Sequence, residues 1–490
     1  MNNRARYQRQ LQGSRARRAI ACAVAVLVAA GCAKVVEGRS LSALNDPFRV
    51  ADLPAADGPS GPRPNAPAPT GTVEHTDNGA IDKLALLSFN DIQEYWEGAY
   101  SQSLNGTFKP VGRLASYDSE DRNGTVCGSD TYNMGPNAFF SSRCNLIAWD
   151  RRVYLPTGQK YFGDIAVTGV LAHEFGHALQ RMAKLVTNDD PTLVYEQQAD
   201  CFAGVFLYWV AAGKSKRFTL STGNGLDHAL AGRISSSDPV EDKPIDDEHG
   251  SALDRVSAVQ MGFITGASAC AAINKTEIEQ RRGDLPKILR TDPNTGTAET
   301  GEVLVNEDTL STLMEVMAKI FNPKNRPTLS YQASDCRDAK ASPPASYCPA
   351  TNTITVDLPK LQELAKVGGR KQHLLPQGDD TAISIVMSRY VLAVQHERGL
   401  PMQSPWTALR TACLTGYTHR KMAEPIDTPD RKQLMITAGD LDEAVSGLLT
   451  NRLVGSDADG TVVPAGFTRI AAFRAGVTGS MDACYSRYPA

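Results

Sequence analysis

The sequence predicts a helix-dominated α+β fold, built as a tandem repeat of one domain with the second copy degenerate. Two observations predict the class. Long apolar stretches at helical spacing dominate, and the cysteine-led segment "CNLIAWDRRVYLP" (144–156) carries the short aromatic and β-branched runs of strands. A third predicts the repeat. "CNLIAWDRRVYLP" echoes "CPATNTITVDLP" (348–359), and "FGDIAV" (162–167) echoes "QGDDTA" (377–382). "ADCFAG" (199–204) echoes "TACLTG" (411–416), and "LDRVSAVQMGFITGASAC" (253–270) echoes "FTRIAAFRAGVTGSMDAC" (467–484). The last pair keeps Arg255 with Arg469, Gly262 with Gly476, and the closing cysteine. One such match is chance. Four in the same order, with cysteines in register, indicate two copies over 79–285 and 305–490, joined by a linker at 286–304.

Within the first copy, "IDKLALLSFNDIQEYWEGAYSQ" (81–102) reads as a helix and residues 145–156 as one or two short strands. "DIAVTGVLAHEFGHALQRMAKLV" (164–186) is a helix apolar on nearly every face, hence buried; "TLVYEQQADCFAGVFLYWVAAG" (192–213) is a second and "HGSALDRVSAVQMGFITGA" (249–267) a third. The polar stretch 214–248, rich in Ser, Gly and Asp, reads as a loop.

A chain of 490 residues is too long for one core and suits two domains of roughly 200 residues. With 42% hydrophobic and 21% charged residues it is neither disordered throughout nor a polytopic membrane protein. Residues 1–18 hold six arginines and no acid, and an apolar run follows that is too short to span a bilayer; residues 1–31 therefore read as a signal peptide of an exported protein. Its end, Ala30-Gly31-Cys32, resembles a bacterial lipobox with Ala29 in place of the usual Leu. On this reading Cys32 is lipidated and anchors the chain at the extracytoplasmic face of the cell membrane; plain secretion is the alternative. Losing six arginines takes the formal charge from −3 to about −9, which excludes a nucleic-acid partner. Residues 51–70 contain six prolines and almost no large apolar side chain, so 32–78 reads as a stiffened tether.

Of ten cysteines, Cys22 leaves with the leader and Cys32 takes the lipid. The remaining eight suggest four disulfides, and the repeat cuts the 105 possible pairings to a matched set. Cys127–Cys144 corresponds to Cys336–Cys348, and Cys201–Cys270 to Cys413–Cys484.

The chemistry lies in His173-Glu174-Phe175-Gly176-His177, an HExxH pattern. On a helix its two imidazoles share a face and can reach one metal ion, with Glu174 beside the ion's open side. A catalytic zinc takes three protein ligands and a water. Residues 178–183, "ALQRMA", lack the third histidine of a metzincin, but Glu196 and Asp200 stand at i and i+4 on the next helix. HExxH followed by ExxxD fits a gluzincin-like site, with Glu196 as third ligand and Asp200 accepting from a ligand imidazole; Asp200 as ligand is the alternative. Zinc lowers the pKa of bound water to about 7, and Glu174 serves as general base in hydrolysis of a peptide bond in a peptide or protein substrate. His249 and Tyr195 are candidate oxyanion stabilisers.

Six segments, "CG" (127–128), "VYLP" (153–156), "FGD" (162–164), "LAHEFGHALQ" (171–180), "EQQADCFAGV" (196–205) and "HGSALDR" (249–255), resemble the bacterial neutral zinc metallopeptidase family, in particular its mycobacterial-type lipoprotein peptidases. The resemblance covers about 120–270 and departs at Ala178, where the family carries histidine. It implies zinc ligation by His173, His177 and Glu196, general-base catalysis by Glu174, and a zinc peptidase activity. In the second copy the positions of His173, Glu174, His177, Glu196 and Asp200 hold Ser388, Arg389, Leu392, Ala408 and Ala412, so no metal is expected there. That copy is expected to pack on the first and shape its cleft. The competing reading is a non-enzymatic envelope lipoprotein with a structural zinc that binds a protein partner. A structural zinc site has no use for a general base, and the repeat pairing leaves no cysteine to close one.

Overall fold

The structure, a computed structural model, describes residues 45–241, 248–283, 285–289, 301–368, 375–429 and 432–489. The leader 1–31, Cys32 and most of the linker 286–304 lie outside the described residues. Among the described residues no helix is long and apolar enough to cross a membrane.

Helices dominate, with small sheets beside them. Helix α1 (Ala80–Ser103) leads to β1 (Arg113–Tyr117), β2 (Ala138–Ser141) and β3 (Leu146–Asp150). Their order is β1-β3-β2, with β3 parallel to β1 and antiparallel to β2, which leaves β2 at an edge. Helices α2 (Tyr154–Phe162), α3 (Asp164–Ala183), α4 (Thr192–Ala211), α5 (Asn224–Ile234), α6 (Ala252–Thr265) and α7 (Ala267–Ala271) follow. Gly163, at φ 77°, makes the sharp corner between α2 and α3, and Lys184 ends α3 in the left-handed region.

Two departures from the sequence reading matter. The stretch 214–248 contains α5, where Leu226, Leu230 and Ile234 line one buried face. Ser and Gly flanks hid this short helix. Residues 45–78 are docked, not a free tether. Arg49–Val50 pairs with Leu53–Pro54, and Gly61–Pro62 pairs with Phe218–Thr219. Ala56 N–H donates to Thr222 Oγ1 at 3.0 Å, Arg63 Nε to Ser215 O at 3.0 Å, and Thr468 Oγ1 to Arg49 O at 3.0 Å. Prolines pre-extend the segment, and hydrogen bonds hold it where composition offers little apolar area to bury.

The second half also begins with a helix, a three-stranded sheet and then further helices: α8 (Glu307–Phe321), β4 (Thr328–Ser330), β5 (Ala345–Cys348), β6 (Thr353–Val356), α9 (Leu358–Leu364), α10 (Asp379–Glu397), α11 (Pro405–Met422), α12 (Ala438–Thr450), α13 (Gly466–Val477) and α14 (Met481–Arg487). Its sheet order, β4-β6-β5, also pairs one parallel and one antiparallel neighbour. Disulfides join Cys127–Cys144, Cys201–Cys270, Cys336–Cys348 and Cys413–Cys484. The second and fourth tie α4 to α7 and α11 to α14.

The halves are not separate bodies. Ala43–Ala490 form one compact unit, and one apolar core runs through both. Across the junction, Gln260 Nε2 donates to Phe467 O at 2.8 Å, Gly466 N–H to Asp227 Oδ1 at 2.8 Å, and Arg474 Nη1 to Ser257 O at 3.2 Å.

The start of α10 carries a buried acidic group. Asp379, Asp380, Asp440 and Glu443 are all less than a tenth exposed. Burial, then neighbouring carboxylates, push Asp379 up to about 8, Asp440 to about 7 and Glu443 to about 10.

Candidate metal centre

Gly176 sets the distance between α3 and α4. A Cβ there would lie 2.8 Å from Ala199 Cα, so only glycine lets the helices come this close. The result brings Glu196 across to the α3 imidazoles. Ligand atoms of His173, His177 and Glu196 all lie within 4.8 Å of one another. His173 Nε2 is 3.2 Å from Glu196 Oε2 and His177 Nε2 is 3.3 Å from Glu196 Oε1.

The opposite ring nitrogens are engaged. His173 Nδ1 meets Asp200 Oδ1 at 2.7 Å. His177 Nδ1 meets Gln180 Oε1 at 3.0 Å. Gln180 cannot be the other way round: its Nε2 donates to Tyr195 O at 2.7 Å and to Gln198 Oε1 at 3.0 Å, while Gln198 Nε2 donates to Ile273 O at 2.9 Å. Both Nδ1 atoms therefore donate, which turns each Nε2 toward Glu196.

Asp200 is fully buried. Burial opposes its ionisation, but Arg255 and Arg233 outweigh that and hold the carboxyl well below the usual range. Arg255 Nε donates to Asp200 Oδ2 at 2.8 Å and Arg233 Nη1 to Asp200 Oδ1 at 3.1 Å. Burial likewise opposes the charge on Glu196, and the two imidazoles overcome it. His177 is raised to about 9: burial works against its proton, and hydrogen bonding and attraction to Glu196 win. Glu196 sits between two imidazoles, with Arg255 Nη2 3.4 Å from its Oε2, and two nitrogens with one carboxylate are a donor set that suits zinc. The residues fit the metal.

Glu174 is 7% exposed and has no hydrogen-bond partner among the described residues. Burial pushes its carboxyl up, partly offset by the imidazoles of His173 and His177. Glu174, His173, His177 and Glu196 line a cavity of about 1020 Å³ whose wall includes the edge strand β2 and His249. His249 lies beside Asp238, its Nδ1 3.3 Å from Asp238 Oδ1. Tyr195 also lines the cavity, but its hydroxyl donates to Thr187 O at 2.8 Å and is not free for an oxyanion. All lining residues fall within 137–255, so the second half does not shape this cleft; it braces α5 and α6 from behind.

Arg233, Gln180 and Gln198 were not singled out from sequence as site residues. Arg233 sits on the helix hidden in the polar stretch, and Gln180 had one signal, its recurrence as Gln395. In the second half Arg389 is fully buried where α3 has Glu174; its Nε donates to Ala345 O at 2.8 Å and Nη1 to Ser456 Oγ at 2.9 Å. Ser388 Oγ bonds Ile385 O, and Leu392 is core. Cys336, Asp338 and Cys348 cluster, but both cysteines are in a disulfide. No family model, curated protein or solved structure matches this chain.

Proposed function

We propose that the chain is a zinc-dependent peptidase. The observation that carries this reading is Glu174, a buried carboxylate with no partner of its own, beside three converging ligands that open onto a cleft. A closed structural zinc site would need a fourth protein ligand, and the described residues supply three. Zinc, when bound by His173, His177 and Glu196, supplies Lewis acidity and a water of lowered pKa. Glu174 accepts the proton of the attacking water and returns it to the leaving amine, a role that a raised carboxyl pKa suits. Asp200 and Gln180 hold the imidazoles in the tautomer that exposes Nε2. The free edge of β2 in the cavity wall offers backbone groups to an extended peptide.

The second half is read as a degenerate copy of the first, retained for its packing. A similar run of main helices and strands, the same sheet pairing and corresponding disulfides support that reading. The disulfides also support an extracytoplasmic location, with Cys32 as the proposed lipid anchor. The test is cleavage of a mixed peptide library by the zinc-loaded chain. No cleavage with zinc bound would transfer the site to the partner-binding lipoprotein reading.

Two further results are expected. Gln180→Ala frees His177 Nδ1 and should weaken zinc binding about 10- to 100-fold, read by competition with a chelating dye; unchanged affinity would remove Gln180 from the site. His249 has its pKa raised, first by the hydrogen bond to Asp238. Its charged, donating form therefore persists below the raised value and is lost as pH rises through it. Activity should fall on that alkaline side. His249→Gln should flatten that limb and lower the rate at neutral pH by about a hundredfold, the low end for an oxyanion donor. An unchanged pH–rate profile would exclude His249.

A further inference from the structure

The acidic group at the start of α10 is a second concentration of ligand chemistry, remote in sequence from the cleft and unused by it. Carboxylate oxygens of Glu302, Asp379 and Glu443 lie within 4.8 Å of one another. They come from three pieces of chain: the segment entering the second half, the first turn of α10, and α12. Part of their charge is met locally. Asp379 N–H points to Glu302 Oε2 at 3.4 Å, Asp380 N–H donates to Glu443 Oε2 at 2.9 Å, and Val303 N–H donates to Asp379 Oδ2 at 3.1 Å. His419 is spent on Asp380: Nδ1 donates to Thr415 O at 2.8 Å and Nε2 to Asp380 Oδ2 at 2.8 Å. Asp440 is spent on capping Thr437 at the start of α12.

Two observations then point to a missing positive partner. Asp379 is 4% exposed, and its Oδ1 is enclosed with no hydrogen-bond partner. An unmet carboxylate oxygen in the interior is costly, and it persists where something completes it. Gly378 also makes room for the group: a Cβ there would lie 2.1 Å from Glu443 Oε1. Among the described residues, no Lys or Arg pairs with Glu302, Asp379 or Glu443.

We propose that Glu302, Asp379 and Glu443 form a binding site for a hard divalent cation, calcium, that ties the entering segment of the second half to α10 and α12. The ligands are all carboxylate oxygens, the chemistry of calcium and not of zinc or copper. Asp380 and Asp440 add negative charge around the site without being ligands. This proposal is independent of the cleft, and peptide cleavage is not its readout.

The test is calorimetric titration of calcium into the full chain, stripped with EGTA, freed of the chelator and reloaded with zinc, with thermal unfolding followed alongside. About one calcium per chain is expected. Each tenfold excess over its Kd should raise the folded-to-unfolded ratio about tenfold. Glu443→Gln and Asp379→Asn should each abolish that stabilisation. In calcium-free buffer both should be at least as stable as the native chain, because each replaces a buried carboxyl crowded by other carboxylates with a neutral amide of the same shape. If Glu443→Gln does not fold, Asp379→Asn carries the readout. Calcium without effect on the native chain, or bound as well by both variants, overturns the site and leaves a proton-sharing cluster.

Discussion

Glu174→Gln is expected to lower kcat/KM for peptide cleavage by about a hundred- to ten-thousandfold, the range for loss of a general base. The substitution keeps shape and hydrogen-bonding reach and removes only the ability to take a proton. Zinc content should be unchanged, since His173, His177 and Glu196 are untouched. Stability should hold or rise, because Glu174 is a buried carboxylate with no partner and an amide costs less to bury. The combination is diagnostic: function lost, metal kept, melting temperature not lowered. Cleavage that survives the substitution would remove Glu174 from the reaction. Cleavage lost together with zinc or with folding would assign it a structural role.

The second large effect is on folding. Gly262→Ala in α6 should destabilise the protein by about 3 kcal/mol or more, at or beyond the upper end of overpacking costs. Its Cβ would lie 1.8 Å from Cys201 O on α4, and neither atom belongs to a side chain that can swing away. Gly476→Ala should act alike, with a Cβ 1.7 Å from Cys413 O. Gly169→Ala in α3 is the control: beyond its chain neighbours and its own helix backbone nothing lies within 4 Å of its Cβ, so helix propensity should stabilise it by about 0.5–1 kcal/mol. Chemical denaturation of the three variants checks this. Equal midpoints would mean that α4 and α6 are not held at this separation.

Much of this fold was legible in the sequence because burial and helical period coincide. α3 and α4 are apolar on nearly every face, so their polar residues, His173, Glu174, His177, Glu196 and Asp200, stood out against that background. Their spacing placed them on facing surfaces before any coordinate was known. What could not be read was long-range. Arg233 reaches Asp200 across 33 residues from a helix with weak apolar contrast. The Gln180–Gln198–Ile273 chain depends on side-chain direction, which residue type does not report. The docking of residues 45–78 rests on hydrogen bonds between side chains and backbone of partners more than 150 residues apart, invisible to local pattern.

That docking bears on when the molecule can finish folding. Arg49 O accepts from Thr468 Oγ1 across 419 residues, so one of the first described stretches to be synthesised is held by one of the last. α1, the first sheet, α3 and α4 pack mainly on elements of the first half, whereas α5 and α6 also pack on α12 and α13. The bond from Thr468 on α13 to the opening ribbon is one that only the finished chain can make. The contacts of greatest sequence separation, Arg49 with Thr468 among them, can form only once the second half is present. A chain halted before residue 466 leaves Asp227 without Gly466 and Arg469, and leaves the back of α5 open.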